Sequence, residues 1–189
     1  MCMQYDEMMT HFKTKDRYDH VEKLMLAHFP VAERRPTVEI LELAAGTGMV
    51  GQRLHQNGFK QLDAIDYSQG MLAELSKKNV YRDFWQASLG QPPFQSVVED
   101  SAYDVVIMCG GLANGHIDIG VLGQAHSALK PGGLFINGMT ELYTKTVPEL
   151  RGLDKMFFDM EDQGKWKVIL REIQEIEKPG LFHVCRKIQ

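Results

Sequence analysis

The chain is poor in the features that mark several large classes of protein. It has 3 cysteines in 189 residues, Cys2, Cys109 and Cys185, and no C-x-x-C pair. An odd number at wide spacing supports neither a disulfide framework nor a zinc site. The expectation is no metal and a reducing, cytoplasmic setting. No apolar run approaches the roughly 20 residues needed to span a bilayer. The start, Met1-Cys2-Met3-Gln4-Tyr5-Asp6-Glu7, lacks the basic and apolar parts of a signal peptide. No membrane partner is expected. A net charge of −4 gives no basic stripe for a phosphate backbone, so nucleic acid is not expected either. There is no internal repeat and no low-complexity segment. Against these absences, 44% apolar and 24% charged residues fit one globular domain over 1–189 with one core.

The most informative stretch is Glu39-Ile40-Leu41-Glu42-Leu43-Ala44-Ala45-Gly46-Thr47-Gly48-Met49-Val50-Gly51. It reads as a short apolar strand, a glycine turn and the start of a helix. Such a turn lets backbone approach a ligand closely, and the helix start offers free N–H groups. Two cofactors compete. Gly46-Thr47-Gly48-Met49-Val50-Gly51 matches G-x-G-x-x-G, and Asp66 follows Gly46 by 20 residues, as in dinucleotide sites. Glu42, however, stands four residues before Gly46. A carboxylate there would repel a pyrophosphate and suits a cation. S-adenosylmethionine offers an ammonium for Glu42 and a ribose diol for Asp66, so it fits better than NAD.

Three motifs carry a resemblance to a known family. Ile40 to Gly48 is similar to motif I of the class I S-adenosylmethionine-dependent methyltransferases. Asp66-Tyr67-Ser68-Gln69-Gly70-Met71-Leu72 resembles their D-x-S-x-x-M-L segment, and Lys130-Pro131-Gly132-Gly133-Leu134 their turn before strand five. A closer resemblance is to the methyltransferase-like family of the Williams–Beuren syndrome region. Its carriers are Ala44 to Gly48, Ser68 to Leu72, Ser88-Leu89-Gly90-Gln91 and Gly111-Leu112-Ala113-Asn114-Gly115. The resemblance implies an α/β, Rossmann-like fold. Its seven-stranded, mostly parallel sheet would end in a C-terminal antiparallel hairpin, with helices on both faces.

Along the chain, residues 5–28 look helical. Val21, Leu24, Met25 and His28 share one face, and Tyr5, Met8, Met9 and Phe12 form a similar stripe. The charged stretch Lys13 to Arg17 is read as a break between them. Two readings stand for 1–29: helices laid over the sheet edge, or a lid over the cofactor. The cofactor-binding core is expected over 36–140 after a linker bracketed by Pro30 and Pro36. Strands are predicted at about 38–43, 61–65, 80–86, 103–109 and 134–139, and helices at about 48–57, 69–78 and 117–129. The remainder, 141–189, reads as a helix over 150–163 and a hairpin turning at Pro179-Gly180. Only about 50 residues follow the fifth strand, too few for the substrate domain of a nicotinamide dehydrogenase.

The expected cofactor wall is Glu42, Ala44, Gly46, Thr47, Gly48, Asp66, Tyr67, Met71, Ala87, Ser88, Leu89, Cys109 and Gly110. In many relatives an Asp opens the loop after strand three and accepts from the adenine amino group; here Ala87-Ser88 stand there. Candidate acid–base groups are His116, Glu141 and Tyr143, and candidate acceptor-binding residues are Tyr5, Phe12, Tyr18, His116 and Tyr143. Methyl transfer needs alignment more than proton transfer, so a base is optional. The D/N-P-P-Y/F motif of amino-methyltransferases and the Pro-Cys of cytosine enzymes are absent. The expectation is a small-molecule acceptor, with the protein a monomer or weak dimer. The alternatives are a non-catalytic S-adenosylmethionine-binding protein and, less favoured, an NAD-binding reductase.

Overall fold

Strands apolar on both sides must be covered on both sides, which places them in the middle of a layered fold. The computed structural model describes residues 15–90, 97–113, 118–175 and 178–188. They contain β1 (Glu39–Leu43), β2 (Gln61–Asp66), β3 (Asp83–Gln86), β4 (Tyr103–Cys109) and β5 (Leu129–Thr140), followed by β6 (Trp166–Gln174) and β7 (Gly180–Lys187). These form one seven-stranded sheet in the order β3-β2-β1-β4-β5-β7-β6. The first five run parallel; β7 lies antiparallel between β5 and β6. The fold is the Rossmann-like one expected, with its terminal hairpin.

Side chains alternate across the sheet and build two cores. Ile40, Val105, Ile107, Ile136 and Val184 meet α1 (Lys15–His28) and α2 (Met49–Gln56) on one face. Leu41, Val106, Met108, Phe135 and Cys185 meet α4 (Val121–Ala128) and α6 (Leu153–Asp162) on the other. Between them in sequence, α3 (Gln69–Ser76) packs Leu72 and Leu75 on Ala45 and Ala64. One residue inserted in β6 between Val168 and Leu170 shifts the register against β7. Val168 therefore packs on the α6 side and Leu170 on the α1 side, as a β-bulge requires.

Several expectations are corrected in detail. The charged stretch is helical from Lys15 onward, so no break separates Arg17 from Tyr18. Arg17 is 7% exposed and hydrogen-bonds to Thr140 at the end of β5. That distant partner lets a charged residue sit inside the helix–sheet interface. The linker contains a 3-10 turn, Ala32–Thr37, tied down by Arg35, whose Nε donates to the Phe29 carbonyl at 2.9 Å. The helix expected from 150 begins at Leu153, after a 3-10 turn Pro148–Leu150 and a glycine at φ +80°. A short helix not foreseen, α5 (Tyr143–Thr146), precedes it.

The described part of the N-terminal segment is fixed to the rest. Val21 and Met25 are fully buried, Asp19 pairs with Arg53 of α2 at 3.0 Å, and Asn57 donates to Glu22 at 2.8 Å. Among the described residues no helix is long and apolar enough to cross a membrane.

Candidate cofactor site

In an open α/β sheet the strand order reverses at one point, and ligands bind beyond the strand ends there. Here the reversal lies between β1 and β4. A cavity of about 1140 Å³ opens above it.

One wall is the turn after β1. Its backbone is left-handed at Ala44 (φ +53°), Gly46 (φ +57°) and Gly48 (φ +79°). Asp66, at the end of β2, holds this turn in place. Its Oδ2 accepts from the Gly46 N–H at 2.7 Å, and its Oδ1 accepts from the Ser68 N–H at 2.8 Å. Ser68 in turn caps α3 by accepting from the Met71 N–H. One carboxylate thus joins the glycine turn to the loop after β2 while lining the cavity.

Glu42 lies beneath the turn, 3% exposed. Its Oε2 accepts from the Tyr81 hydroxyl at 2.5 Å and from the Gly51 N–H at 3.1 Å. Burial pushes its carboxyl up to about 7; the Tyr81 and Gly51 bonds oppose this, and nearby Asp66 adds to it. A buried acid poised near neutrality beside a cavity gains from a cationic ligand group. Cys109 borders the same space, and burial raises its thiol to about 12, so it is a neutral wall rather than a nucleophile.

The cavity brings together most of the residues expected from the sequence. Glu42, Ala44, Gly46, Thr47, Asp66, Tyr67, Met71, Ser88, Leu89, Cys109 and Gly110 line it, as do Tyr18 and Tyr143. Gly48, Ala87 and Glu141 are not among the lining residues. Gly48 is the N-cap of α2, and a Cβ there would lie 2.8 Å from the Tyr81 ring. Ala87 donates its N–H to the Asp66 carbonyl and packs on the core. Glu141 is turned aside: its N–H donates to the Pro179 carbonyl, and its carboxylate pairs with Lys145 at 2.6 Å. Tyr5, Phe12 and His116 lie outside the described residues.

Residues not foreseen complete the walls. Arg17 reaches the cavity from α1, and Ile119, Val147 and Leu150 give it an apolar side next to Tyr143. Tyr81 sits in no motif, yet its hydroxyl is what holds Glu42. The third glycine of the G-x-G-x-x-G run makes room for it: a Cβ on Gly51 would lie 2.1 Å from the Tyr81 hydroxyl. Gly51→Ala is therefore expected to displace Tyr81 and cost about 1–3 kcal/mol by overpacking. Urea unfolding checks this, and a change below about 0.5 kcal/mol would mean that Tyr81 moves freely.

A sheet reversed at β1 and β4, with a glycine turn and two acids at its carboxyl end, defines a nucleotide-cofactor protein of the Rossmann-like class. Comparison with known proteins narrows this. The methyltransferase-domain family model matches residues 40–133. The chain is 30% identical to human methyltransferase-like protein 27 over 128 residues, covering 68% of this chain and 51% of that one. It is 31% identical over 108 residues to a demethylmenaquinone methyltransferase of Leptospira interrogans, covering 53% and 42%. It thus spans about half the length of the curated relatives it matches. Among solved structures, the N-methyltransferase NodS of Bradyrhizobium japonicum superposes with a TM-score of 0.68 at 12% identity, over 93% of this chain and 96% of that one. A S-adenosylmethionine-dependent methyltransferase of Mesorhizobium loti gives 0.60 at 14% identity, over 79% and 91%. The chain belongs to the class I S-adenosylmethionine-dependent methyltransferases, and S-adenosylmethionine is the cofactor of that family.

Proposed function

We propose that the chain binds S-adenosylmethionine in this cavity and transfers its methyl group to a small-molecule acceptor. The observation that carries the reading is the joint placement of Asp66 and Glu42 on one cavity: Asp66 at the glycine turn, Glu42 buried and near neutrality. Asp66 is placed for the ribose diol and Glu42 for the ammonium. Arg17 supplies a cation for the carboxylate of the same amino-acid end; it uses one bond to Thr140 and has no carboxylate partner among the described residues. Ser88 and Leu89 take the adenine side, with hydroxyl and backbone groups in place of an acid.

When bound, the cofactor supplies a methyl group on a sulfonium, which is a good leaving group. The work left to the chain is alignment and exclusion of water, and orientation alone can lower a barrier by roughly 7–11 kcal/mol. Tyr18, Ile119, Tyr143, Val147 and Leu150, with the acids Asp118 and Glu149 beside them, form a partly apolar compartment for the acceptor. Of the two acid–base candidates among the described residues, Tyr143 lines it and Glu141 does not. A small, partly apolar acceptor agrees with the likeness to a demethylmenaquinone methyltransferase. We take the protein to act as a monomer or weak dimer, without nucleic acid or membrane.

Release of S-adenosylhomocysteine across a panel of small acceptors, including quinols, phenols, amines and thiols, tests the activity. Turnover with at least one acceptor is the expected result. Tight cofactor binding with no turnover would instead favour a binding protein. Arg17→Ala is expected to weaken S-adenosylmethionine binding by roughly 10–100-fold, as for the loss of a charged hydrogen bond. Unchanged affinity by calorimetry would remove Arg17 from the site.

A further inference from the structure

Tyr81 belongs to no motif and lines no part of the cavity, yet it makes the shortest contact to the acid that does. Its hydroxyl and the Gly51 N–H both fall on Oε2 of Glu42. Among the described residues nothing donates to Oε1, and Oε1 is not one of the sealed, unpartnered atoms of the core. Glu42 lines the cavity, and both of these bonds are to its Oε2. Tyr81 itself cannot wander. Its ring packs on the cluster of Ala45, Ala64, Leu72 and Leu75. Gly48 and Gly51 leave just the space it fills, with Cβ positions 2.8 and 2.1 Å from its atoms.

We propose that Tyr81 is a positioning residue: by clamping Oε2 of Glu42 together with the Gly51 N–H, it turns Oε1 to the cavity, toward the ammonium group of the cofactor. The proposal rests on the S-adenosylmethionine reading above.

The groups acting on Glu42 come from every neighbouring element. Tyr81 and Lys78 follow α3, the Gly51 N–H belongs to α2 and Asp66 ends β2, while Cys109 at the end of β4 and Arg17 of α1 line the same cavity. Burial and Asp66 favour the protonated acid; Tyr81, Gly51 and Lys78 oppose it, Tyr81 most of all. A protonated Glu42 cannot pair with an ammonium. Removing the hydroxyl therefore moves the onset of binding to higher pH, whereas a packing defect weakens binding at every pH alike.

The test is calorimetric titration of S-adenosylmethionine into the full chain and into Tyr81→Phe, Glu42→Gln and the double variant. It is run from about pH 6 to about pH 9, across the range where Glu42 titrates. For the unaltered chain, affinity is expected to rise through about pH 7, where the Glu42 carboxyl ionises. In Tyr81→Phe the rise shifts up by about one pH unit, so binding at pH 7 falls roughly 3–10-fold and recovers to within about twofold at high pH. Glu42→Gln loses that rise and keeps only the titration of the cofactor's own α-amino group near about pH 8, and Tyr81→Phe does not change it further. An equal loss at every pH, or an unmoved profile, would overturn the clamp. If the unaltered chain binds no S-adenosylmethionine, the cofactor reading fails. Carbon-13 carboxyl titration of Glu42 in the free protein then decides the clamp separately: an upward shift in Tyr81→Phe supports it, and none overturns it.

Discussion

Asp66→Ala is expected to weaken S-adenosylmethionine binding by about 100-fold or more while the sheet stays folded. Two losses combine. The first is the contact proposed to the ribose diol, a charged hydrogen bond of about 1.5–3 kcal/mol. The second is preorganisation. Asp66 holds the Gly46 and Ser68 N–H groups at 2.7 and 2.8 Å, and without it the left-handed turn over Glu42 is released. Re-ordering such a loop on binding costs about 1 kcal/mol more, and the sum of roughly 3 kcal/mol corresponds to about 100-fold. Asp66→Asn keeps one acceptor oxygen and is expected to cost about tenfold less. Calorimetry gives the affinities and a melting curve confirms folding. An unchanged dissociation constant for Asp66→Ala would take the residue out of the site.

The largest effect on stability is expected far from that site. Trp166 opens β6 and is fully buried. Its ring stacks on Phe157 of α6, with centroids 5.5 Å apart and planes 20° from parallel, and on Phe135 of β5 at 5.8 Å and 13°. Its Nε1–H donates to the Phe157 carbonyl at 3.0 Å. Trp166→Ala empties this stack and removes the extra bond to that helix carbonyl, so a loss of about 3–5 kcal/mol is expected. Trp166→Phe keeps an aromatic face and should cost less than half of that, roughly 1–2 kcal/mol. Denaturant unfolding measures both. A loss under about 1 kcal/mol for the alanine variant would mean that α6 and β6 repack around the gap. Trp166 does not line the cavity, so the affinity of the folded variant should be unchanged.

What the sequence made legible follows from how local each feature is. The run Val105 to Cys109 is apolar throughout and could be read as a buried parallel strand without knowing its neighbours. The turn after β1 and Asp66 share one strand–turn–helix–strand unit, so their spacing reported their meeting. Arg17 was not legible, because a charge in a charged stretch reads as solvated. Its burial depends on Thr140, 123 residues further along. Tyr81 was hidden for the same reason: its partner Glu42 is 39 residues earlier, and the glycine that admits it had an explanation already. Glu141 shows the reverse. Its place after β5 pointed to the cavity mouth, but Pro179 and Lys145 hold it elsewhere. The apolar wall of Ile119, Val147 and Leu150 comes from separate loops and carries no pattern in sequence.

In the function proposed for this cavity, Glu42 and Asp66, on either side of one glycine turn, select an amino-acid-bearing nucleoside over a dinucleotide. Parallel calorimetric titration with S-adenosylmethionine, S-adenosylhomocysteine and NAD tests it most directly. Micromolar binding of the first two, about −8 kcal/mol, with none of the third is the expected result. Binding of NAD alone would contradict the role given to Glu42, because a pyrophosphate would then tolerate a carboxylate beneath it.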